Sequence, residues 1–377
     1  MRRLLLLVGG IVFVDTMFFA ALTPLLPEYA EEHDLSKAGA GVLAGAYPVG
    51  ALVGGIPGGI ATARLGARAT TIAGLVVIAV TTFVFATADS IVVLDASRFV
   101  QGFGSSFAWT AGLSWLVSEA PADRRGQTIG TAMAAAIVGA LFGPVLGGIA
   151  AVVGQAPAFG AAGLIAVALA VAAAAMRPPP TPRAQPLSLL FGALRKGRIA
   201  LSVWFVLLPA LLFGTLGVLA PLRLEHLGFA AVAIGALWLF TAGLEAIANP
   251  VVGRVSDRVG RFRPMAVSVA ASSVIAALLP WPGNAWLLAA LVVLAGVAFG
   301  SFWTPAMALL SDEADTYGLD YAYAFALINL AWAPGQALGS VGGGALAEIT
   351  SDAVPYLALS AACLITFAVV WRSRSSS

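Results

Sequence analysis

The chain has 377 residues, of which 60% are hydrophobic and only 10% are charged. Soluble domains average about 45–50% apolar and about 25% charged residues, so this composition excludes an ordinary soluble fold and predicts a chain that lies mostly in lipid. The net charge of +2 offers no nucleic-acid-binding surface, and the single cysteine, Cys363, excludes an internal disulfide framework. Because the sequence has no Walker loop and no clustered metal ligands, we expect neither a cofactor nor a metal.

Twelve apolar runs come close to the roughly 20 residues that a helix needs to cross a bilayer, and they predict an all-α membrane protein. The predicted helices, numbered 1 to 12 in chain order, cover residues 4–27, 38–61, 69–87, 91–118, 127–152, 157–176, 199–222, 231–253, 264–281, 285–310, 321–346 and 353–371. The first run is too long for the apolar core of a signal peptide and contains Asp15, which favours a membrane helix.

Basic residues are distributed unevenly between the two ends of the predicted helices. With twelve helices, 17 of the 20 Lys and Arg residues fall on the side of the N-terminus, whereas the opposite loops carry only Lys37 and Arg223. Since loops rich in Lys and Arg stay in the cytoplasm, this split predicts a multi-pass protein of the inner or plasma membrane with both termini cytoplasmic.

The stretch 177–198 interrupts the apolar pattern with prolines and positive charge. It predicts a cytoplasmic linker between an N-terminal six-helix bundle (1–176) and a C-terminal six-helix bundle (199–377). An internal repeat supports this division, because Gly41 and Gly235 occupy corresponding helices at an offset of 194 residues. Two parallel repeats with a substrate site between them suit transport by alternating access.

Several motifs recur at fixed spacing. The loop after predicted helix 8 carries Gly253, Asp257, Arg258, Gly260 and Arg261, and the loop after helix 2 keeps Arg64 but has alanines at positions 63 and 67. Helix 4 contains Arg98, Gln101 and Gly102, helix 5 contains Gly139, Gly143, Pro144 and Gly147, and Asp15 precedes Pro24 by nine residues. On these motifs, the sequence resembles the major facilitator superfamily, and more closely its drug:proton antiporters, which include tetracycline exporters and vesicular amine transporters.

The resemblance implies two pseudo-symmetric six-helix bundles and a monomer. It also implies antiport, because the helix-5 pattern is similar to the motif that accompanies antiporters in the superfamily. Gly139, Gly143, Pro144 and Gly147 are therefore predicted gating residues, although glycines at this spacing also serve simple helix packing.

The motif after helix 8 and Arg64 imply a latch between the halves at the cytoplasmic face. We predict that the acidic loop 311–320 and residues 123–125 supply its partners; solvated loop charges worth about 0–1 kcal/mol per pair are the alternative.

Three ionisable residues are predicted to couple transport to protons: Asp15, Arg98 and Glu245. A charge near the middle of a membrane helix costs roughly 2.5–3.5 kcal/mol, so such a residue normally faces a cavity or a partner. Asp15 is either a proton carrier and cation anchor or a structural partner of Arg98, and Arg98 has a second possible partner in Asp95, three residues before it. For Glu245, a hydrogen-bonded contact between helices is the alternative.

Polar and aromatic side chains at helical spacing predict a substrate site between the halves. The candidates are Asp15, Phe19, Gln101, Trp109, Trp238, Thr241, Glu245, Asn249, Trp303, Asn329 and Trp332. Aromatic rings beside carboxylates suit amphiphilic organic cations. Core packing or a position in the interfacial belt is the alternative for any single tryptophan.

The sequence thus predicts a secondary active transporter in the lipid bilayer, whose partners are protons and a small organic substrate. We expect a proton-coupled antiporter that exports small amphiphilic or cationic compounds, as in multidrug efflux. An exporter of a specific metabolite, such as a sugar or amino-acid derivative, is the nearest alternative, followed by a non-transporting membrane sensor. No catalytic residues are predicted, because no nucleophile and base occur together.

Overall fold

The computed structural model describes residues 1–121, 125–178, 186–319 and 321–374. These residues form twelve long helical segments, α1 to α12, which correspond in order to the predicted helices. They are α1 (Arg2–Glu32), α2 (Lys37–Leu65), α3 (Ala67–Thr87), α4 (Ile91–Glu119), α5 (Arg125–Val153), α6 (Gln155–Ala174), α7 (Gly197–His226), α8 (Ala231–Val259), α9 (Phe262–Leu278), α10 (Ala285–Thr316), α11 (321–349) and α12 (Ala353–Arg374). A short linker helix, Leu187–Leu194, lies between α6 and α7.

Nine of the helices in the described ranges are by themselves long and apolar enough to cross a membrane. The other three complete the predicted twelve. Of these, α4 has 29 residues and contains the polar residues Arg98 and Gln101. The α9 helix has only 17 residues, and α11 passes through a π-helical turn at Leu338–Gly342.

Two helices end on the same glycine turn. Gly66 after α2 and Gly260 after α8 both have φ of +86°, a backbone conformation that side chains with a Cβ disfavour. The two glycines are 194 residues apart, the offset that also relates Gly41 to Gly235. The internal repeat is therefore a repeat of local structure as well as of sequence.

Helix packing repeats with the same symmetry. In the first half α1 packs on α5, α2 on α4, and α3 on both α4 and α6; in the second half α7 packs on α11, α8 on α10, and α9 on both α10 and α12. The contacts between the halves are also paired, because α2 packs on α11 and α5 packs on α8. The predicted fold class, two pseudo-symmetric six-helix bundles, is confirmed.

Two predicted segments differ in structure. Residues 311–316, predicted as part of an acidic loop, form the last turns of α10, where two of the acidic residues are paired: Arg198 lies 3.0 Å from Glu313, and Arg261 lies 3.4 Å from Asp312. The predicted linker contains the linker helix, whose Leu190 and Ala193 are buried against the second half.

Candidate functional site

Asp15 lies midway along α1 and is only 3% exposed. Its Oδ2 accepts hydrogen bonds from the Tyr47 hydroxyl at 2.7 Å, the Ser105 hydroxyl at 2.7 Å and the Trp109 indole N–H at 2.6 Å. Its Oδ1 is buried and has no hydrogen-bond partner among the described residues. We call these four residues the Asp15 cradle. One carboxyl oxygen is thus held in place from α2 and α4, and the other retains its capacity to accept.

Arg98 forms neither of its predicted ion pairs. Within the described ranges no carboxylate lies within 4 Å of its guanidinium, which instead donates to the Phe18 carbonyl at 3.2 Å, the Phe19 carbonyl at 3.3 Å and Gln101 Oε1 at 2.8 Å. These carbonyls belong to the last α-helical turn before the 3₁₀ turn Thr23–Leu25, where helix ends present acceptors.

The Arg98 guanidinium also faces an aromatic surface, 5.1 Å from the Tyr47 ring centroid and 5.8 Å from that of Phe85. Tyr47 therefore contacts both charged groups, Arg98 through its ring and Asp15 through its hydroxyl. Gln101 is oriented by a second bond, from its Nε2 to the Thr82 hydroxyl at 2.8 Å. The predicted candidates Asp15, Arg98 and Gln101 thus lie in one connected region of the first half.

Glu245 lies in a different environment. Its carboxyl rests against two glycines of α10: a Cβ built on Gly296 would lie 2.8 Å from Oε1, and one built on Gly300 would lie 2.8 Å from Oε2. No hydrogen bond or ion pair joins Glu245 to another residue in the part of the chain that the structure describes. We call Glu245, Gly296 and Gly300 the Glu245 notch.

The other α8 residues predicted for the substrate site lie on the same face of the helix as Glu245. Thr241 is buried and donates its hydroxyl to the Leu237 carbonyl of its own helix at 2.8 Å, while Asn249 keeps a buried side-chain oxygen without a partner in the described ranges. Trp238 and Trp303 are half-buried and pack against the core of the second half.

Some of the aromatic residues predicted for the substrate site contact one another. The Phe19 ring of α1 lies 5.2 Å from the Tyr47 ring and 5.4 Å from the Trp332 ring of α11, so it contacts both halves. Asn329, one turn from Trp332, is half-buried. A cavity of about 30 Å³ beside Phe19 is lined by residues of both halves, including Arg98 and Gln336, and has room for about one water molecule.

The predicted gating glycines of α5 lie against α1 of their own half. A Cβ on Gly139 would meet the Phe13 carbonyl, one on Gly143 would lie 2.9 Å from the Met17 carbonyl oxygen, and one on Gly147 would lie 2.5 Å from Pro24 Cγ. They permit a close helix crossing, which is the packing alternative; a gating role stays a prediction. Pro144 is the exception, because its carbonyl faces Gly235 of α8 in the other half.

Among the described residues, the ion pairs at one end of the bundle lie within one half, whereas an ion pair at the other end joins the two halves. We call the end that carries both chain termini the terminal face and the other end the distal face. At the terminal face, Asp257 pairs with Arg261 at 2.6 Å within the second half, and Arg68 donates to the Ala174 carbonyl within the first. Arg64 is exposed at the end of α2, and Gly253 and Arg258 lie in the last turns of α8.

The predicted latch between the halves is not formed at the terminal face by the side chains that the structure describes, and it stays a prediction for a state in which that face is closed. Two of the acidic residues expected to face Arg64 pair elsewhere: Glu313 pairs with Arg198 and Asp312 with Arg261. Of the other proposed partners, Asp123 and Arg124 and the Arg125 side chain lie outside the described residues.

The distal face joins the two halves instead. Lys37 of α2 pairs with Asp352 at 2.5 Å, Arg223 of α7 lies 3.7 Å from the same carboxylate, and the Ala38 N–H donates to Glu348 at 2.9 Å. Sequence reasoning missed this contact. The signal was present, because Lys37 and Arg223 are the only basic residues of the predicted distal loops and needed acidic partners.

Tyr47, Thr82, Gly296 and Gly300 were also missed. Tyr47 could have been found, because it is the single aromatic residue between positions 37 and 65, in a helix otherwise rich in glycine and alanine. The two α10 glycines give no such signal, since the sequence does not reveal that they face Glu245.

Comparison with known proteins identifies the class. The Major Facilitator Superfamily profile matches residues 8–333 and 246–377, so the chain belongs to that superfamily. It is 34% identical over 147 residues to the MFS-type transporter ppzB of Metarhizium rileyi, a match that covers 37% of this chain and 30% of that protein. It is 27% identical over 303 residues to the human synaptic vesicular amine transporter, covering 77% and 58%.

Solved structures agree on the fold. The crystal structure of a D-xylose–proton symporter has a TM-score of 0.75 at 16% identity, covering 97% of this chain and 96% of that one. That of a nucleoside transporter has a TM-score of 0.74 at 12% identity, covering 98% and 99%. At this identity, the likeness concerns the fold alone.

Proposed function

We propose that the protein is a proton-coupled antiporter that exports small amphiphilic or cationic organic compounds. The Asp15 cradle is the observation that carries this proposal. A buried carboxyl whose Oδ2 is fixed by three donors presents its unpartnered Oδ1 to a ligand, and an N–H of an organic ammonium supplies the missing donor. The rings of Phe19, Tyr47 and Trp109 provide aromatic surface for the rest of the cation.

Arg98 would set the balance of charge at this site. Its guanidinium is fixed by backbone carbonyls and by the Tyr47 ring, so it stays beside the cradle without occupying Asp15. Binding of an organic cation at Asp15 and uptake of a proton by a carboxyl within the membrane then compete. Such competition couples two fluxes when protonation and substrate binding favour different conformations.

Two bodies would move in the cycle: residues 1–176 and residues 199–377, joined by the linker 177–198. The distal-face contacts between Lys37 and Asp352 hold one end closed in this state, while the described ion pairs of the terminal face lie within one half. With 17 of 20 basic residues near the terminal face, we place that face in the cytoplasm of an inner or plasma membrane and expect a monomer.

The name of the human vesicular amine transporter supports an amine-like substrate over a sugar. A sugar bound at the Asp15 cradle would need free side-chain amides and hydroxyls beside it for its hydroxyl groups. Here Gln101 and Thr82 are already bonded to each other at 2.8 Å, and Gln101 also accepts from Arg98.

The test is proton movement in proteoliposomes that contain the full-length protein and an internal pH dye, on addition of a panel of lipophilic cations. We expect cation-triggered proton flux that falls by about 100-fold or more in Asp15→Asn, because the anchor for the cation is gone. Asp95→Asn is the matched control, since Asp95 of α4 also has a buried carboxyl oxygen without a hydrogen-bond partner among the described residues. Uptake of a neutral or anionic metabolite without proton movement would overturn the proposal, as would equal losses in both variants.

A further inference from the structure

Glu245 is a carboxyl that is surrounded by backbone rather than by donors. Both of its oxygens lie over glycines of α10, Gly296 and Gly300, with 2.8 Å to the position that a Cβ would take at each. Any larger residue at either position would collide with the carboxyl. The notch therefore fits the carboxyl sterically while supplying it with no hydrogen bond among the described residues.

The pseudo-symmetric place in the first half shows what is unusual about the notch. An offset of 194 relates Ala51 to Glu245, Gly102 to Gly296 and Ser106 to Gly300. In the first half, a Cβ on Gly102 would lie 3.0 Å from the Ala51 nitrogen, and the Ser106 hydroxyl donates to the Ala51 carbonyl at 2.6 Å. There the helices α2 and α4 are in direct backbone contact.

In the second half, the corresponding crossing of α8 and α10 has room for one larger side chain. Glycine replaces Ser106 at position 300, which removes the hydroxyl donor, and glutamate replaces Ala51 at position 245, which fills the gap. The carboxyl thus occupies a place that its counterpart fills with packed backbone. For helix packing alone, an alanine at position 245, as at position 51, would be sufficient.

Among the described residues, no countercharge faces Glu245 from the helices that pack on α8. Residues 23–25, through which α1 packs on α8, carry no charge. The α5 range 128–153 and the α10 range 285–310 contain no charged residue, and α9 contains only Arg263, at its start. In α7 the charged residues stand near the two ends, namely Arg198, Arg223, Glu225 and His226. On α8 itself the nearest are Arg254, Asp257 and Arg258, more than two turns away. An ionised carboxylate without partner or donor is strongly disfavoured in such a place, whereas a protonated one is tolerated.

We propose that Glu245 carries the coupling proton, and that Gly296 and Gly300 form a receptacle that admits its carboxyl only in the neutral state. This rests on the proposed function in assuming that a proton is transported. A hydronium ion on one side gives its proton to the carboxylate: one hydronium O–H bond breaks, a carboxyl O–H bond forms and a water molecule remains. The neutral group then enters the notch as α8 closes on α10. When α8 later shifts on α10 within the second body, a water molecule on the other side takes the proton and leaves as a hydronium ion. Asp15 then serves the cation, and each carboxyl has one task.

Infrared spectroscopy tests the notch without substrate or transport. We would record the C=O stretch of protonated carboxyl groups in the full-length protein, reconstituted in lipid at neutral pH. The expected result is a band that is absent in Glu245→Gln and that loses about half its intensity or more in Gly300→Ala, because the added Cβ expels the carboxyl into a wetter place. Gly243→Ala is the matched control on α8, since its Cβ would have its nearest neighbour, Leu141 Cδ2, at 4.0 Å.

A band that persists in Glu245→Gln, or equal effects of Gly300→Ala and Gly243→Ala, would overturn the proposal. If Gly300→Ala does not fold, the double variant Glu245→Ala with Gly300→Ala is expected to restore folding, because removal of the carboxyl makes room for the added methyl group. Failure of that rescue counts against the notch. A normal band in a protein that moves no protons would instead reject the proposed function and leave the notch standing.

Discussion

The α4 helix of the first half and the α10 helix of the second occupy equivalent places, yet their buried side chains differ in kind. At an offset of 194, Arg98 corresponds to Val292, Gln101 to Ala295 and Ser105 to Phe299, and all six are buried. The scaffold is repeated, but among the described residues this polar network of α4 has no counterpart in α10. The glycines at helix ends and helix crossings recur in both halves, whereas these ionisable groups do not. The second half has its own carboxyl, Glu245, where the first has Ala51.

The largest expected effect concerns the stability that the glycines at equivalent helix crossings give to the two halves. In α5, a Cβ on Gly143 would lie 2.9 Å from the Met17 carbonyl oxygen, and in α11 a Cβ on Gly339 would lie 3.0 Å from the Leu211 carbonyl carbon. We expect Gly143→Val and Gly339→Val each to destabilise the protein by about 3 kcal/mol, because neither neighbour is a side chain that can move away. Thermal unfolding of the purified variants measures this.

Gly148→Val is the control, because nothing lies within 4 Å of its Cβ position. It should unfold at the temperature of the wild type. If only one of the two glycine variants were destabilised, the glycines would not serve equivalent crossings in the two halves, and the remaining one would be free for a role in gating.

Sequence reasoning recovered the scaffold because lipid imposes strong rules. Apolar length, the positions of basic residues and the repeated glycines are each dictated by the bilayer or by helix contact, so they are legible one helix at a time. Ion pairing was predicted less well. Arg98 was assigned to Asp15 or Asp95 by charge and spacing, but the guanidinium found backbone carbonyls at the end of the α-helical part of α1.

The Asp15 cradle shows why such sites are only partly predictable. Asp15 and Trp109 stood out in the sequence because polar groups are rare in an apolar helix, whereas the acceptor role of Oδ2 depends on how α2 positions Tyr47. The same holds for the notch, in which Gly296 and Gly300 have meaning only once α8 has been packed on α10. Side chains that act through a partner on another helix become visible only in three dimensions.

A milder substitution sharpens the difference between the halves. Tyr47→Phe removes one donor from Asp15 Oδ2 and keeps the ring that faces Arg98. A hydrogen bond to a charged group contributes about 1.5–3 kcal/mol, so we expect cation binding to weaken by roughly 10-fold or more. Thr241→Val at the equivalent position of α8 should leave binding unchanged, because that hydroxyl bonds its own helix. Equilibrium binding of a fluorescent cation in detergent distinguishes the two; equal losses would contradict a ligand site confined to the first half.

The smallest expected effect concerns the two contacts between the halves, α2 with α11 and α5 with α8, which we call seams. The seam of α2 with α11 carries the Lys37–Asp352 pair, whereas Ala231, the equivalent of Lys37 in the seam of α5 with α8, has no charge. Glu348, just beyond the predicted end of helix 11, accepts from Ser36 and from the Ala38 N–H, and these bonds lower its pKa below the ordinary value of 4.5. A carboxylate with a lowered pKa supports the folded contact above its ordinary pKa and loses that support as the pH falls through the lowered value.

Acidification below about 4.5 should therefore loosen the seam of α2 with α11 and leave the seam of α5 with α8 intact. Spin labels placed across each seam, in a background with Cys363→Ser, would report the distances as a function of pH. We expect Glu348→Gln to widen the first seam at neutral pH as well, by weakening the anionic cap on α2, and to reduce its further response to acid. Glu225→Gln is the control at the same face. If both seams opened together, the distal closure would depend on backbone contact at Gly41 and Gly235 and the charged residues would have no part in it.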